Sequence, residues 1–78
     1  MPIQPDQCQL VATFAANMKR RRIELGLSQE ELAERAGVHR TYVGMLERGE
    51  KNATLYSIER LAGALEVEPA TLLLSTKT

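Results

Sequence analysis

One cysteine, Cys8, and one histidine, His39, are all the thiol and imidazole side chains that the 78 residues supply. Neither an intramolecular disulfide framework nor a Cys/His metal site can be built from them. No apolar run is long enough to cross a membrane, and none follows a charged leader. A transmembrane helix, a signal peptide and a membrane partner are therefore not expected, and a cytoplasmic location is. Carboxylate pairs, Ser/His/Asp sets and glycine-rich phosphate loops are missing outside the predicted helices, which argues against an enzyme, a small-molecule substrate or a cofactor. An excess of charge is missing too, since ten Lys and Arg balance ten Asp and Glu. A chain this short forms one domain whose core alone supplies about 3 to 5 kcal/mol, so self-association is expected to stabilise it further.

What the sequence does hold is a pattern from Gln29 to Leu46, QEELAERAGVHRTYVGML, suited to two short helices crossing steeply around a tight turn. Leu32, Ala33 and Ala36 give the first helix an apolar stripe, with the small Ala33 where the second must approach. Gly37 ends it, because glycine takes the left-handed backbone conformation at little cost. Val38, Val43 and Leu46 are the apolar positions of the second helix. His39, Arg40, Thr41 and Tyr42 crowd its start with polar side chains, where Ala, Glu or Lys would better suit a purely structural helix. This arrangement is a helix-turn-helix, whose second helix sets its first residues into the major groove of double-stranded DNA. Arginine can fork onto guanine O6 and N7, and a threonine methyl can touch thymine, so Arg40 is the expected specificity residue with Thr41 beside it. For Tyr42 two readings stay open: contact with DNA, or packing of the ring with only its hydroxyl reaching out. His39 suits a phosphate donor. Zero net charge is awkward for a nucleic-acid binder. Lys19 to Arg22 nevertheless form a basic run, and from Lys19 to Lys51 eight Lys and Arg meet six Glu.

Around this motif the sequence predicts an all-α fold of five helices, one domain over 6–78 preceded by a loose arm over 1–5. Asp6, with Gln9 three residues on, is the expected cap of the first helix. Val11, Phe14, Met18 and Leu25 follow helical spacing, and Arg22 falls on the same stripe. A charge there needs a partner. Glu47, four residues after Val43 and on the inward side of the reading helix, is the best candidate, with snorkelling of Arg22 to solvent as the alternative. Ser28 and Glu31 form a capping box, which leaves Gln29 at a helix N-terminus where N–H groups and the dipole favour phosphate. Thr54 caps a fourth helix with a buried stripe of Leu55, Ile58, Leu61, Ala62 and Leu65. Pro69 suits the first turn of a fifth, short helix reaching about Leu74. Leu65, Val67, Leu72, Leu73 and Leu74 are more apolar side chains than one short helix can bury inward. They are expected to join a symmetric homodimer that reads a palindromic operator.

Taken together, IELGLSQEELAERAGVHRTYVGMLERGEKN, the capped helix after it and ALEVEPATLL resemble the phage-repressor-like (XRE-type) helix-turn-helix family. Within that family HRTYVGMLERGEKN is most similar to the controller proteins of restriction-modification systems, which are small dimeric transcription regulators. The resemblance implies a bacterial regulator of a restriction-modification operon, with a phage-type repressor or operon autorepressor as the alternative. It implies that Ser28 and Gln29 meet phosphates, that Arg40, Thr41 and Tyr42 work at base edges or the flanking backbone, and that Arg48, Lys51 and Asn52 hold the opposite phosphate wall. It agrees with an internal Arg22–Glu47 pair. It also lends weight to the acidic surface of Glu30, Glu31 and Glu34 as a contact for RNA polymerase. The plainer account is that Glu30 and Glu31 suit the helix dipole and Glu34 is solvated. An antitoxin that binds a protein toxin is the rival from another class, for which Ser75 to Thr78 make a short tail.

Overall fold

The computed structural model describes residues 4–75; Met1 to Ile3 of the expected arm and Thr76 to Thr78 of the tail lie outside the described residues. Four α-helices, Gln9–Glu24 (α1), Gln29–Ala36 (α2), Arg40–Glu47 (α3) and Leu55–Ala64 (α4), are flanked by 3-10 turns at Pro5–Gln7 and Pro69–Leu73. The fold is all-helical, with no strand among the described residues. The fifth helix is a correction to the sequence reading. Pro69–Leu73 is a 3-10 turn, with Thr71 N–H donating to Glu68 O at 2.9 Å and Leu74 N–H to Thr71 O at 3.4 Å. Both bonds run from residue i+3 to residue i, the 3-10 pattern found in short pieces of chain. Two carbonyls in this region are also taken from outside: Asn17 Nδ2 on α1 donates to Leu72 O at 2.9 Å and to Leu74 O at 2.8 Å.

Every helix contributes its periodic stripe to one core, with Phe14 and Met18 from α1, Leu32, Ala33 and Ala36 from α2, and Val43 and Leu46 from α3. Leu61, Ala62 and Leu65 come from α4 and its cap, and Leu72 from the C-terminal turn. Burying each large aliphatic side chain contributes roughly 1.5 to 3 kcal/mol. Three expectations change here. The N-cap position of α1 is Cys8, one before Gln9, and not Asp6, which lies in the preceding turn. Leu55 is 84% exposed, because it opens α4 and its Cα–Cβ bond leans back past the N-terminus, away from the core. Leu65 and Leu72, expected to face a partner, are 0% and 1% exposed and belong to the protomer's own core. Val67 and Leu73 are half-buried against that core, and Leu74 is 62% exposed.

Asn17, only 3% exposed, is a polar side chain on the inner face that the periodic reading missed. Its amide ties α1 to the C-terminal turn, and its Oδ1 accepts from Arg20 Nη2 at 2.9 Å, so the buried group is satisfied. The turn between α2 and α3 is held from α4. Gly37 takes φ 72, the left-handed conformation expected at this helix end, and Arg60 Nε donates to Ala36 O at 2.6 Å. The Arg60 guanidinium lies where a side chain on residue 37 would stand and would have to move aside, but it is the left-handed backbone that calls for glycine.

Candidate nucleic-acid interface

At the start of α2, Ser28 and Glu31 bond reciprocally, Glu31 N–H to Ser28 Oγ at 3.0 Å and Ser28 N–H to Glu31 Oε1 at 2.8 Å. The Ser28 backbone N–H, and after it the Ser28 hydroxyl, hold the Glu31 carboxyl below the usual carboxylate range. The next side chain reaches across to α3. Gln29 Nε2 donates to Glu47 Oε1 at 3.1 Å, which leaves the backbone N–H of Gln29, at the open end of the helix, as the group suited to an anion. Glu47 itself is fixed by Arg22, whose Nε and Nη2 meet its two oxygens at 2.7 and 3.0 Å.

His39 caps α3, its Nδ1 accepting from Thr41 N–H at 3.1 Å. The ring proton of the neutral imidazole therefore sits on Nε2. Arg40 and Thr41 are exposed on the first turn of α3. Arg40 Nη1 lies 3.4 Å from Glu30 Oε2, both side chains being about two-thirds exposed. Tyr42 turns the other way. Its ring packs against the core and its hydroxyl donates to Ser57 Oγ at 3.1 Å, which also accepts from Thr54 Oγ1 at 3.0 Å.

An open cleft of about 590 Å³ is lined by Arg22, Ser28, Gln29, Glu30, Arg40, Thr41, Gly44 and Arg48. Arg48 folds back over Gly44, where an added Cβ would stand 3.2 Å from Nη1. Its Nε and Nη2 donate to Glu50 at 2.9 and 3.2 Å. That paired hydrogen bond raises the guanidinium's pKa and holds the Glu50 carboxyl below the usual range. The fold thus brings Ser28, Gln29, Arg40, Thr41 and Arg48 onto one cleft, with His39 beside Arg40 in an adjoining shallow recess. Lys51 and Asn52 are not on it. They rim an apolar groove of about 230 Å³ with Cys8, Leu10, Phe14, Leu55 and Leu73. The sequence reading passed over Gly44 and Glu50. A glycine inside a helix costs about 0.5 to 1 kcal/mol relative to alanine, which was the one legible signal that something lies close to it. Among the described residues no group of three His, Cys, Asp or Glu could hold a metal, and no helix is long and apolar enough to cross a membrane.

Comparison with known proteins agrees with this geometry. Residues 18–72 match the family described as helix-turn-helix. A hypothetical transcription factor of Neisseria meningitidis serogroup B is 47% identical over 70 residues, covering 90% of this chain and 66% of that protein, just under two thirds of its length. The restriction-modification controller protein C.AhdI from Aeromonas hydrophila superposes with a TM-score of 0.77 at 44% identity, covering 80% of this chain and 94% of that one. The controller protein C.Esp1396I, solved as a tetramer in complex with its natural 35-base-pair operator, superposes with a TM-score of 0.78 at 32% identity, over 83% of this chain and 86% of that one.

Proposed function

The chain belongs to the helix-turn-helix family, and from that premise we propose that it is a sequence-specific, double-stranded-DNA-binding transcription regulator that controls a restriction-modification operon. The observation that carries this reading is the single cleft on which the open N-terminus of α2 and the exposed first turn of α3 meet. Arg40 reads guanine and Thr41 a neighbouring base, while Ser28, Gln29, His39 and Arg48 meet phosphates. Lys51 and Asn52 reach the backbone only where DNA extends past the cleft, and Tyr42 contributes by bracing α3 unless its hydroxyl leaves Ser57. The protein works in the cytoplasm, without catalytic activity or cofactor.

Its working form is a homodimer. Supporting this are the exposed apolar side chains of Leu74, on the C-terminal segment beside half-buried Leu73, and of Leu55, which shares a groove with Leu73. A two-fold pair would set its reading helices about 34 Å apart on a palindrome. Of the acidic residues on α2, Glu31 is tied to Ser28 and Glu30 lies against Arg40, so Glu34 and, once Arg40 turns to DNA, Glu30 form the surface assigned to RNA polymerase. The experiment is selection of bound duplexes from a random pool, followed by sedimentation of the complex. An enriched inverted repeat bound by two chains is expected. No enrichment, or a monomer on DNA, overturns the reading.

A further inference from the structure

All three arginines that line the cleft face a glutamate of the same chain: Arg22 meets Glu47 at 2.7 Å, Arg40 meets Glu30 at 3.4 Å and Arg48 meets Glu50 at 2.9 Å. The first pair is enclosed and structural. The other two are exposed, so their guanidiniums are the ones DNA could claim. Arg48 is the more firmly held. Its side edge, Nε with Nη2, is the fork a phosphate would use, and both positions are already filled by Glu50.

We infer that Glu50 restrains DNA affinity: its carboxylate occupies the phosphate-binding edge of Arg48 and must be displaced, or tolerated as a nearby like charge, whenever a duplex enters the cleft. This rests on the DNA-binding reading above. An exposed pair of this kind contributes little to folding, because water competes for both partners. Its effect on association with DNA is larger in proportion. Displacing the carboxylate forfeits the pair, while retaining it leaves a negative charge within reach of the phosphates, where salt screens only part of the repulsion. Both routes weaken binding to any duplex. The same compensation accounts for a DNA-facing surface on a chain with no net charge. Sequence-independent attraction is damped, and the operator is distinguished by the base contacts of Arg40 and Thr41.

The test compares wild type, Glu50→Gln, Arg48→Met, the double variant and Glu59→Gln, the last removing an exposed carboxylate that does not line the cleft. Each is titrated against a random-sequence duplex and against a duplex from the selection above, at several salt concentrations. Glu50→Gln should tighten binding to both duplexes by roughly two- to fivefold. The gain should largely vanish in the Arg48→Met background, and Glu59→Gln should change little. Unchanged or weaker binding by Glu50→Gln would show that the carboxylate buttresses Arg48 and does not compete with DNA. An equal gain from Glu59→Gln would reduce the effect to overall charge. Absence of DNA binding by the wild type overturns the functional reading itself, a result distinct from either of these.

Discussion

Arg22 of α1 and Glu47 of α3 close a two-point ion pair at 2.7 and 3.0 Å, with Arg22 Nη1 also donating to Leu27 O at 2.8 Å. The side chains are 12% and 2% exposed, and Gln29 of α2 bonds the same carboxylate, so three helices converge on one acidic group. Removing either partner leaves a poorly hydrated charge without compensation, at a cost of about 3 to 5 kcal/mol. That is comparable to the whole margin of a domain this size. Arg22→Ala and Glu47→Ala should each unfold much of the protein at room temperature, and the double variant should lose far less than the sum. Urea denaturation of the four proteins gives the coupling energy, and small additive losses would show a pair hydrated in solution.

Arg40 lines the cleft whereas Lys51 stands on the rim of the apolar groove, so their removal should affect DNA binding differently. Arg40→Ala should lose discrimination worth about 1 to 3 kcal/mol between operator and scrambled duplex. Lys51→Ala should weaken both duplexes equally and lower the salt slope by about one. Equal losses on the two duplexes for Arg40→Ala would remove it from base reading.

Glu66, just past the end of α4, holds φ 61 without being glycine. Left-handed backbone costs an L-residue roughly 1 to 2 kcal/mol, part of which glycine returns through its freer unfolded chain. The contact with Arg35 at 3.9 Å joins two largely exposed groups and contributes little. Glu66→Gly should therefore raise stability by about 0.5 to 1 kcal/mol, a few degrees in Tm for a domain of this length. A fall in Tm would mean that the Arg35 contact outweighs the backbone strain.

The Glu31 carboxyl is lowered in the folded protein by the Ser28 N–H and hydroxyl. A lowered folded pKa contributes stability above the ordinary carboxylate range, and that contribution is lost as pH falls through the folded value. Glu31→Gln keeps a carbonyl to accept from Ser28 but does not titrate. Its Tm should decline less steeply than that of wild type as the pH is lowered from neutral through the carboxylate range. Parallel curves for the two proteins would remove Glu31 from the acid response.

Local sequence alone determined the helix-turn-helix, because its signals close within a few residues. Ser28 and Glu31 bond across one turn, and Gly37 supplies the left-handed exit of α2 by its own backbone freedom. The Arg22–Glu47 partnership was also legible, since helical period puts both charges on inward faces where neither could remain alone. Tertiary packing decided the rest. Periodicity names a face but not what covers it, so Leu55 reads like Leu65 although one opens its helix into solvent and the other is enclosed at its end. The C-terminal segment is anchored by Asn17, far away in the chain, which holds the carbonyls of Leu72 and Leu74. Which glutamate meets Arg40, and that Tyr42 turns towards Ser57, depend on distances between helices that no spacing along the chain encodes.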